Sequence, residues 1–135
     1  MYAYLLKGEK PMLKILIVDH SLFSQKVTSN LLKKFLEPID IYYATDGEEG
    51  FEKYKEINPD YVFLDLLMPK ISGLNLIPMI KEYDTNAKIF VVSADVQKTV
   101  REEVESYHIL SFVNKPFTEE KAQAVCSVIK ENFDD

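Results

Sequence analysis

Short, largely apolar runs alternate along the chain with longer stretches in which apolar residues recur every third or fourth position. The runs are Leu13 to Val18 (LKILIV), Ile39 to Ala44, Tyr61 to Leu64 (YVFL), Lys88 to Val92 (KIFVV) and Ser111 to Asn114. Runs without polar alternation suit strands buried on both faces, as in a parallel sheet. Between them, Ser21 can cap a helix running to about Leu36, with Val27, Leu31 and Phe35 four apart as its inward stripe and Pro38 as its stop. Asp46 can cap a second helix through Ile57, in which Phe51 and Tyr54 supply apolar contacts and Asn58-Pro59 forms the break. A third runs from Gly73 to about Tyr83 with Leu74, Ile77 and Ile80 inward; Pro78 inside it predicts a kink or a later regular start. Asp95 opens a fourth, with Val96, Val100 and Val104 spaced by four. Thr118, followed by Glu119 and Glu120 facing the helix dipole, starts the last, which runs to about Phe133 with Ala122, Val125 and Ile129 inward.

This alternation predicts an α/β fold: a doubly wound parallel sheet with helices on both faces and right-handed crossovers. Such a fold gathers its strand carboxyl ends at one edge, where ligands bind. Asp19 and His20 follow the first strand, Asp65 the third, Ser93 the fourth and Lys115 the fifth, so residues far apart in sequence are expected at one edge.

A carboxylate beside a second acid, a hydroxyl and an ammonium makes a phosphoryl site. An ionised Asp65 needs no strong base to attack phosphorus and form an aspartyl phosphate. Bringing a dianion to an anion is the obstacle, and a hard divalent cation with oxygen ligands, together with a lysine, offsets it. Ser93 could then donate to a phosphoryl oxygen, a new bond that a switch can exploit. Taken singly, each residue has a plainer reading: Asp65 or Ser93 capping a turn, Lys115 as a solvated charge, Asp19 satisfying loop donors. Their joint placement at four strand ends favours the site.

Composition narrows the function. The 135 residues with 47% hydrophobic content fit one domain with a sizeable core. A formal charge of −6, with no clustered Lys and Arg, argues against nucleic acid as the direct partner. Cys126 is the single cysteine, so no intramolecular disulfide is possible; VCSVI reads as one apolar helix face with Cys126 as a small core residue. No run approaches a membrane span and no secretory leader is visible, so a cytoplasmic location is expected. Residues 1–11 read as an N-terminal arm carrying Tyr2, Tyr4, Leu5 and Leu6, and 12–135 as the domain; with only Asp134 and Asp135 beyond the last helix, no output domain is expected.

ILIVDHS at the first strand end, VFLDLLMPKISGL around Asp65, VVSA at the fourth strand and FVNKPF at the fifth resemble a receiver domain of two-component response regulators, from Leu13 to about Phe133. The resemblance implies a flavodoxin-like sheet of strand order 2-1-3-4-5 with five helices. It implies that Asp65 is the phosphoacceptor, that Ser93 moves toward the phosphoryl group, and that Lys115 pairs with it. Mg²⁺ would be held by Asp19, Asp65 and the Leu67 backbone carbonyl, and Lys115-Pro116 would be cis. Phe112 matches an aromatic switch position that is buried when Ser93 moves; from the residues alone a plain core Phe is as good a reading. The partner face would run over the fourth helix, fifth strand and fifth helix, including Phe112, Tyr107 and His108. Partners would be a histidine kinase or phosphotransfer protein and a downstream protein, with the chain a monomer or weak dimer. Leu67 and Asp95 match positions that tune the phosphoryl lifetime.

One position departs from that pattern. Where the family has two adjacent acids, this chain has Asp19-His20, and the missing acid is the one that touches the metal. Loss of a charge-assisted contact costs on the order of 1–3 kcal/mol and predicts weaker Mg²⁺ binding. His20 either points to solvent, the preferred reading, or coordinates a softer ion such as Mn²⁺ or Zn²⁺. Two rivals to a phosphorylated switch follow. One is a receiver-like module that binds partners without taking phosphate, motivated by His20. The other is a phosphatase using Asp65 as nucleophile, opposed by Asp65-Leu66-Leu67, which lacks the second acid that would protonate a leaving group.

Overall fold

YVFL forms the central strand, with LKILIV beside it, and the sheet grows outward on both sides. The computed structural model describes residues 12–94 and 97–133. Its elements, in chain order, are β1 (Leu13–Val18), α1 (Leu22–Leu36), β2 (Ile39–Ala44), α2 (Gly47–Ile57), β3 (Tyr61–Leu64), α3 (Gly73–Tyr83), β4 (Ile89–Ser93), α4 (Lys98–Glu105), β5 (Ser111–Asn114) and α5 (Glu119–Phe133). The strands lie in the order β2-β1-β3-β4-β5, all pairings parallel, as the resemblance implied. The N-terminal arm, residues 1–11, lies outside the described residues, as do Asp95 and Val96.

Period-two alternation divides each central strand between two cores. Ile15, Ile17, Tyr61, Phe63, Phe90 and Val92 face one side, under Leu32 and Leu36 of α1 and the apolar stripe of α5. Leu16, Val18, Val62, Leu64, Ile89 and Val91 face the other, under α2, α3 and α4. Buried on both sides, β3 has no exposed position, which is why YVFL carries no polar alternation. Phe63 stacks on Phe90 at 4.7 Å between ring centroids, locking β3 to β4 beneath the site.

Helix boundaries follow the capping chemistry. Ser21 and Asp46 accept from the backbone of Ser24 and Glu49, and Asn58 closes α2 in the left-handed region at φ 51°. Thr118 accepts from the Lys121 amide at 3.3 Å to start α5. Expectations for three helices are corrected. The inward stripe of α1 is Gln25, Thr28, Ser29, Leu32 and Leu36; Val27, Leu31 and Phe35 sit one position around the helix and are half-buried. α3 is helical from Gly73 through Pro78, so the proline does not delay its start. Its buried positions are Leu76, Ile77 and Ile80, with Leu74 half-buried. The described part of α4 begins at Lys98, and Val104 is its buried residue while Val100 is half-buried.

Candidate functional site at the carboxyl edge of the sheet

Four of the five strands end by handing one polar group to the same edge. Asp19 leaves β1 and Asp65 leaves β3 side by side, with the Asp65 amide donating to the Val18 carbonyl at 3.0 Å. Ser93 is the last residue of β4, and the Lys115 amide after β5 donates to its carbonyl at 3.0 Å. Asp19, Asp65 and Ser93 are all buried, at 5%, 6% and 0% exposure, so these are groups removed from water and held by partners.

The partners are one another. Lys115 Nζ donates to Asp19 Oδ2 at 2.9 Å and to Asp65 Oδ2 at 2.8 Å. Asp65 Oδ1 accepts from Ser93 Oγ at 2.7 Å and from the Leu67 amide at 3.1 Å. Asp19 Oδ1 accepts from the Ser21 amide at 2.9 Å. Burial works against the Lys115 ammonium, but the hydrogen bonds and charges of Asp65 and Asp19 outweigh it and hold its pKa above the ordinary lysine value. Two carboxylates against one ammonium leave a net negative charge at the edge.

The loop after Asp65 folds under a steric constraint. A Cβ at Gly73 would lie 2.3 Å from the Asp65 carbonyl oxygen, so only glycine lets α3 begin this close to the phosphoacceptor candidate. Its amide donates to the Leu66 carbonyl at 3.0 Å. Leu66 is buried and Leu67 is 58% exposed, which leaves the Leu67 side chain at the mouth. Lys115-Pro116 is cis, as the resemblance implied.

The donor set fits a hard divalent cation. Oxygens of Asp19 and Asp65, from different strands, already converge on one cationic centre, the Lys115 ammonium. Carboxylate oxygens are the donor type that Mg²⁺ takes. His20 stands apart from them. It is exposed, and its Nδ1 lies 3.3 Å from the carbonyl oxygen of Thr45, which follows β2, on the opposite side of β1 from β3 and Asp65. A carbonyl can only accept, so a hydrogen bond there requires the tautomer that carries its proton on Nδ1. Among the described residues, no group of three or more His, Cys, Asp or Glu side chains is placed to hold a metal, so His20 does not complete a set with the two acids.

Several supporting residues escape a reading of motifs. Gln25 is buried on α1 and donates from Nε2 to the Asp19 carbonyl at 2.7 Å and the Ala44 carbonyl at 3.2 Å, fixing the loop that carries Asp19. Ser24 Oγ lies 3.3 Å from Lys115 Nζ. Gly47 packs against the loop after Asp65, where a Cβ would lie 2.0 Å from the Ile71 carbonyl oxygen. A signal was present for Gln25: residues 25, 28, 29, 32 and 36 share a helical stripe, its upper half polar. Phe112, on β5, is 8% exposed and lies under the Arg101 guanidinium, whose central carbon is 5.0 Å from the ring centroid. Tyr107 is half-buried and His108 exposed at φ 60°.

Residues 15–127 match the family model described as the response regulator receiver domain. The chain is 36% identical over 104 residues to Chemotaxis protein CheY of Thermotoga maritima, across 77% of this chain and 86% of that protein. It is 35% identical over 104 residues to a protein-glutamate methylesterase/protein-glutamine glutaminase of Geobacter sulfurreducens, across 77% of this chain. It spans 28% of the length of that relative and 55% of the length of a probable C4-dicarboxylate response regulator from Halalkalibacterium halodurans. A crystal structure of a CheX-CheY-BeF₃-Mg²⁺ complex from Borrelia burgdorferi superposes with a TM-score of 0.79 at 33% identity, covering 87% of this chain and 89% of that one. No described helix is long and apolar enough to cross a membrane. The chain belongs to the receiver domain family of response regulators.

Proposed function

We propose that this chain is a phosphorylation-dependent signalling switch in which Asp65 accepts a phosphoryl group from a histidine kinase or phosphotransfer protein. The observation that carries the reading is the convergence of Asp65, Asp19, Ser93 and Lys115 from four strand ends. An Asp65 carboxylate oxygen attacks phosphorus, the bond from phosphorus to the donor breaks, and the donor leaves with the electron pair. Lys115 moves its Asp65 contact to the phosphoryl group, and Ser93 Oγ, now donating to Asp65 Oδ1, donates instead to a phosphoryl oxygen. Asp19, Asp65 and the Leu67 carbonyl would hold Mg²⁺, or Mn²⁺ in its place, which would supply charge neutralisation. The changed surface alters binding to a downstream protein over α4, β5 and α5, and the chain is a switch rather than an enzyme. Residues 12–135 constitute the receiver unit, with 1–11 as a preceding arm.

His20 in place of an acid supports a second reading, a pseudo-receiver that binds partners without phosphate. One experiment separates the two. Incubation with acetyl phosphate and Mg²⁺ is expected to add about 80 Da to the native chain, none to Asp65→Asn, and to label His20→Asp faster. Labelling that survives in Asp65→Asn would sink the phosphoacceptor assignment. Absence of labelling and of Mg²⁺-dependent BeF₃⁻ binding in the native chain, with both gained by His20→Asp, would establish the pseudo-receiver.

A further inference from the structure

Phe112 is buried, and a surface side chain, Arg101, lies over its ring. β4 pairs Val91 opposite Phe112, and the ring lies in the core shared with Leu64, Val91 and Val104. The Arg101 guanidinium lies over its outer side, 5.0 Å from the ring centroid. Beside them runs a groove of about 380 Å³ between α4 and α5, with Phe90, Phe112 and Val128 as apolar lining and Arg101 and Lys121 as its cations. On a chain of formal charge −6, two cations facing one apolar groove are a local reversal of sign.

The two cations are held differently. Lys121 Nζ donates to the Asn114 carbonyl at 2.7 Å and the Pro116 carbonyl at 3.3 Å, two backbone acceptors that tie it to the loop after β5. Arg101 has a 3.4 Å contact from Nε to Glu105 one turn along α4, an exposed pair that contributes little, and its stacking on Phe112. Arg101 is therefore the movable one. Its planar fork pairs with a carboxylate through two parallel hydrogen bonds, a stronger contact than stacking on a ring at a solvent-facing site.

We propose that Arg101 is a positioning residue for Phe112: it latches the ring inward, and a partner segment enters the groove with an apolar side chain flanked by a carboxylate that draws Arg101 away. This deepens the switch reading above and rests on its premise that the chain acts by binding another protein. Partner chemistry and ring position are then linked, because the same guanidinium cannot cover Phe112 and grip a carboxylate at once. An acidic segment exposes the ring as it binds.

The test labels the full chain with 4-fluorophenylalanine, assigns the Phe112 fluorine line by its loss in Phe112→Leu, and measures its broadening by a soluble gadolinium chelate. In the native chain the line is expected to be protected; in Arg101→Ala the broadening should rise by about three-fold or more as the lid is lost, with Arg101→Lys between. Arg101 is exposed on α4, so Arg101→Ala should fold, which circular dichroism checks, and Arg101→Met provides a second uncharged variant. Equal protection of Phe112 in a folded Arg101→Ala or Arg101→Met overturns the latch. A capped amphipathic peptide bearing leucine and glutamate should shift the Phe112 line of the native chain at lower concentration than its glutamine counterpart, a difference that disappears in Arg101→Ala. Equal response to the two peptides, or none to either, overturns the partner chemistry. None of these arms uses phosphate. BeF₃⁻ with Mg²⁺ added to the same sample reads the switch separately, so failure of that reading leaves the Arg101 result standing.

Discussion

α1 and α5 lie side by side over the same face of the sheet, joined by an ion pair between Lys34 and Glu119, yet they bury opposite kinds of surface. The inward stripe of α5 is apolar throughout: Ala122, Val125, Cys126 and Ile129. That of α1 is Gln25, Thr28 and Ser29 for its first turns and turns apolar only at Leu32 and Leu36. The divide follows distance from the site. The start of α1 stands behind Asp19 at the carboxyl edge, where Gln25 satisfies backbone carbonyls and Ser24 meets Lys115. α5 reaches the loop after β5 through Lys121, whose Nζ donates to the Asn114 and Pro116 carbonyls, and its body serves the core. Thus one layer of the fold is part scaffold and part site, and the two should respond differently to mutation.

The largest effect belongs to α5. Ile129 is fully buried, and Ile129→Ala removes packed methyl groups and leaves a cavity, at a cost of about 2–5 kcal/mol. Urea or thermal melts should show that loss, while BeF₃⁻ affinity under conditions where the variant is folded stays near that of the native chain. A collapse of BeF₃⁻ binding in the folded variant would erase the distinction between the helices.

Gln25→Ala should do the reverse. The Ala44 carbonyl keeps the Asp19 amide at 3.0 Å, so what is left without its partner is the Asp19 carbonyl, and the stability loss is about 1–2 kcal/mol. Because the same bond fixes the loop bearing Asp19, labelling of Asp65 by acetyl phosphate should slow several-fold. Unchanged labelling with a full stability loss would make Gln25 a core residue like those of α5.

The contrast also marks how far the sequence could be read. Every element of the fold was legible, because buried parallel strands are written as unbroken apolar runs and their helices carry caps such as Ser21, Asp46 and Thr118. Asp65, Ser93 and Lys115 were legible by position, each at a strand end. The inward face of α1 was not, because Val27, Leu31 and Phe35 offer a good apolar stripe, and what turns the helix by one position is the need of Asp19 and Ala44 carbonyls for Gln25. A polar residue with a buried backbone partner outranks an apolar one that can pack half-exposed. Arg101 over Phe112 was equally invisible, since a surface arginine on a helix says nothing of the ring beneath it.

The smallest effect appears in alkali and again sets α5 apart. Burial pushes the Cys126 thiol up to about 11 from an ordinary 9.0, with Lys130 only partly opposing. A group whose folded pKa is raised contributes stability that is whole below its unfolded value and lost as the pH rises through the folded one. For Cys126 that window opens at 9.0 and closes near 11. Lys115 has the same sign but begins later, from 10.5, because its ordinary value is higher. Tyr54 and Tyr61, both raised by burial, begin near 10.0, and Lys81, lowered by burial, acts in the opposite direction. The first part of the fall is therefore the thiol's. Melting temperature followed against pH should drop between 9.0 and 10.0 by an amount corresponding to roughly 1 kcal/mol, and Cys126→Ala should flatten that interval while keeping the steeper fall above it. An unaltered slope in Cys126→Ala would mean that the thiol is reached by water in the folded chain, and the apolar stripe of α5 would lose its claim to be dry.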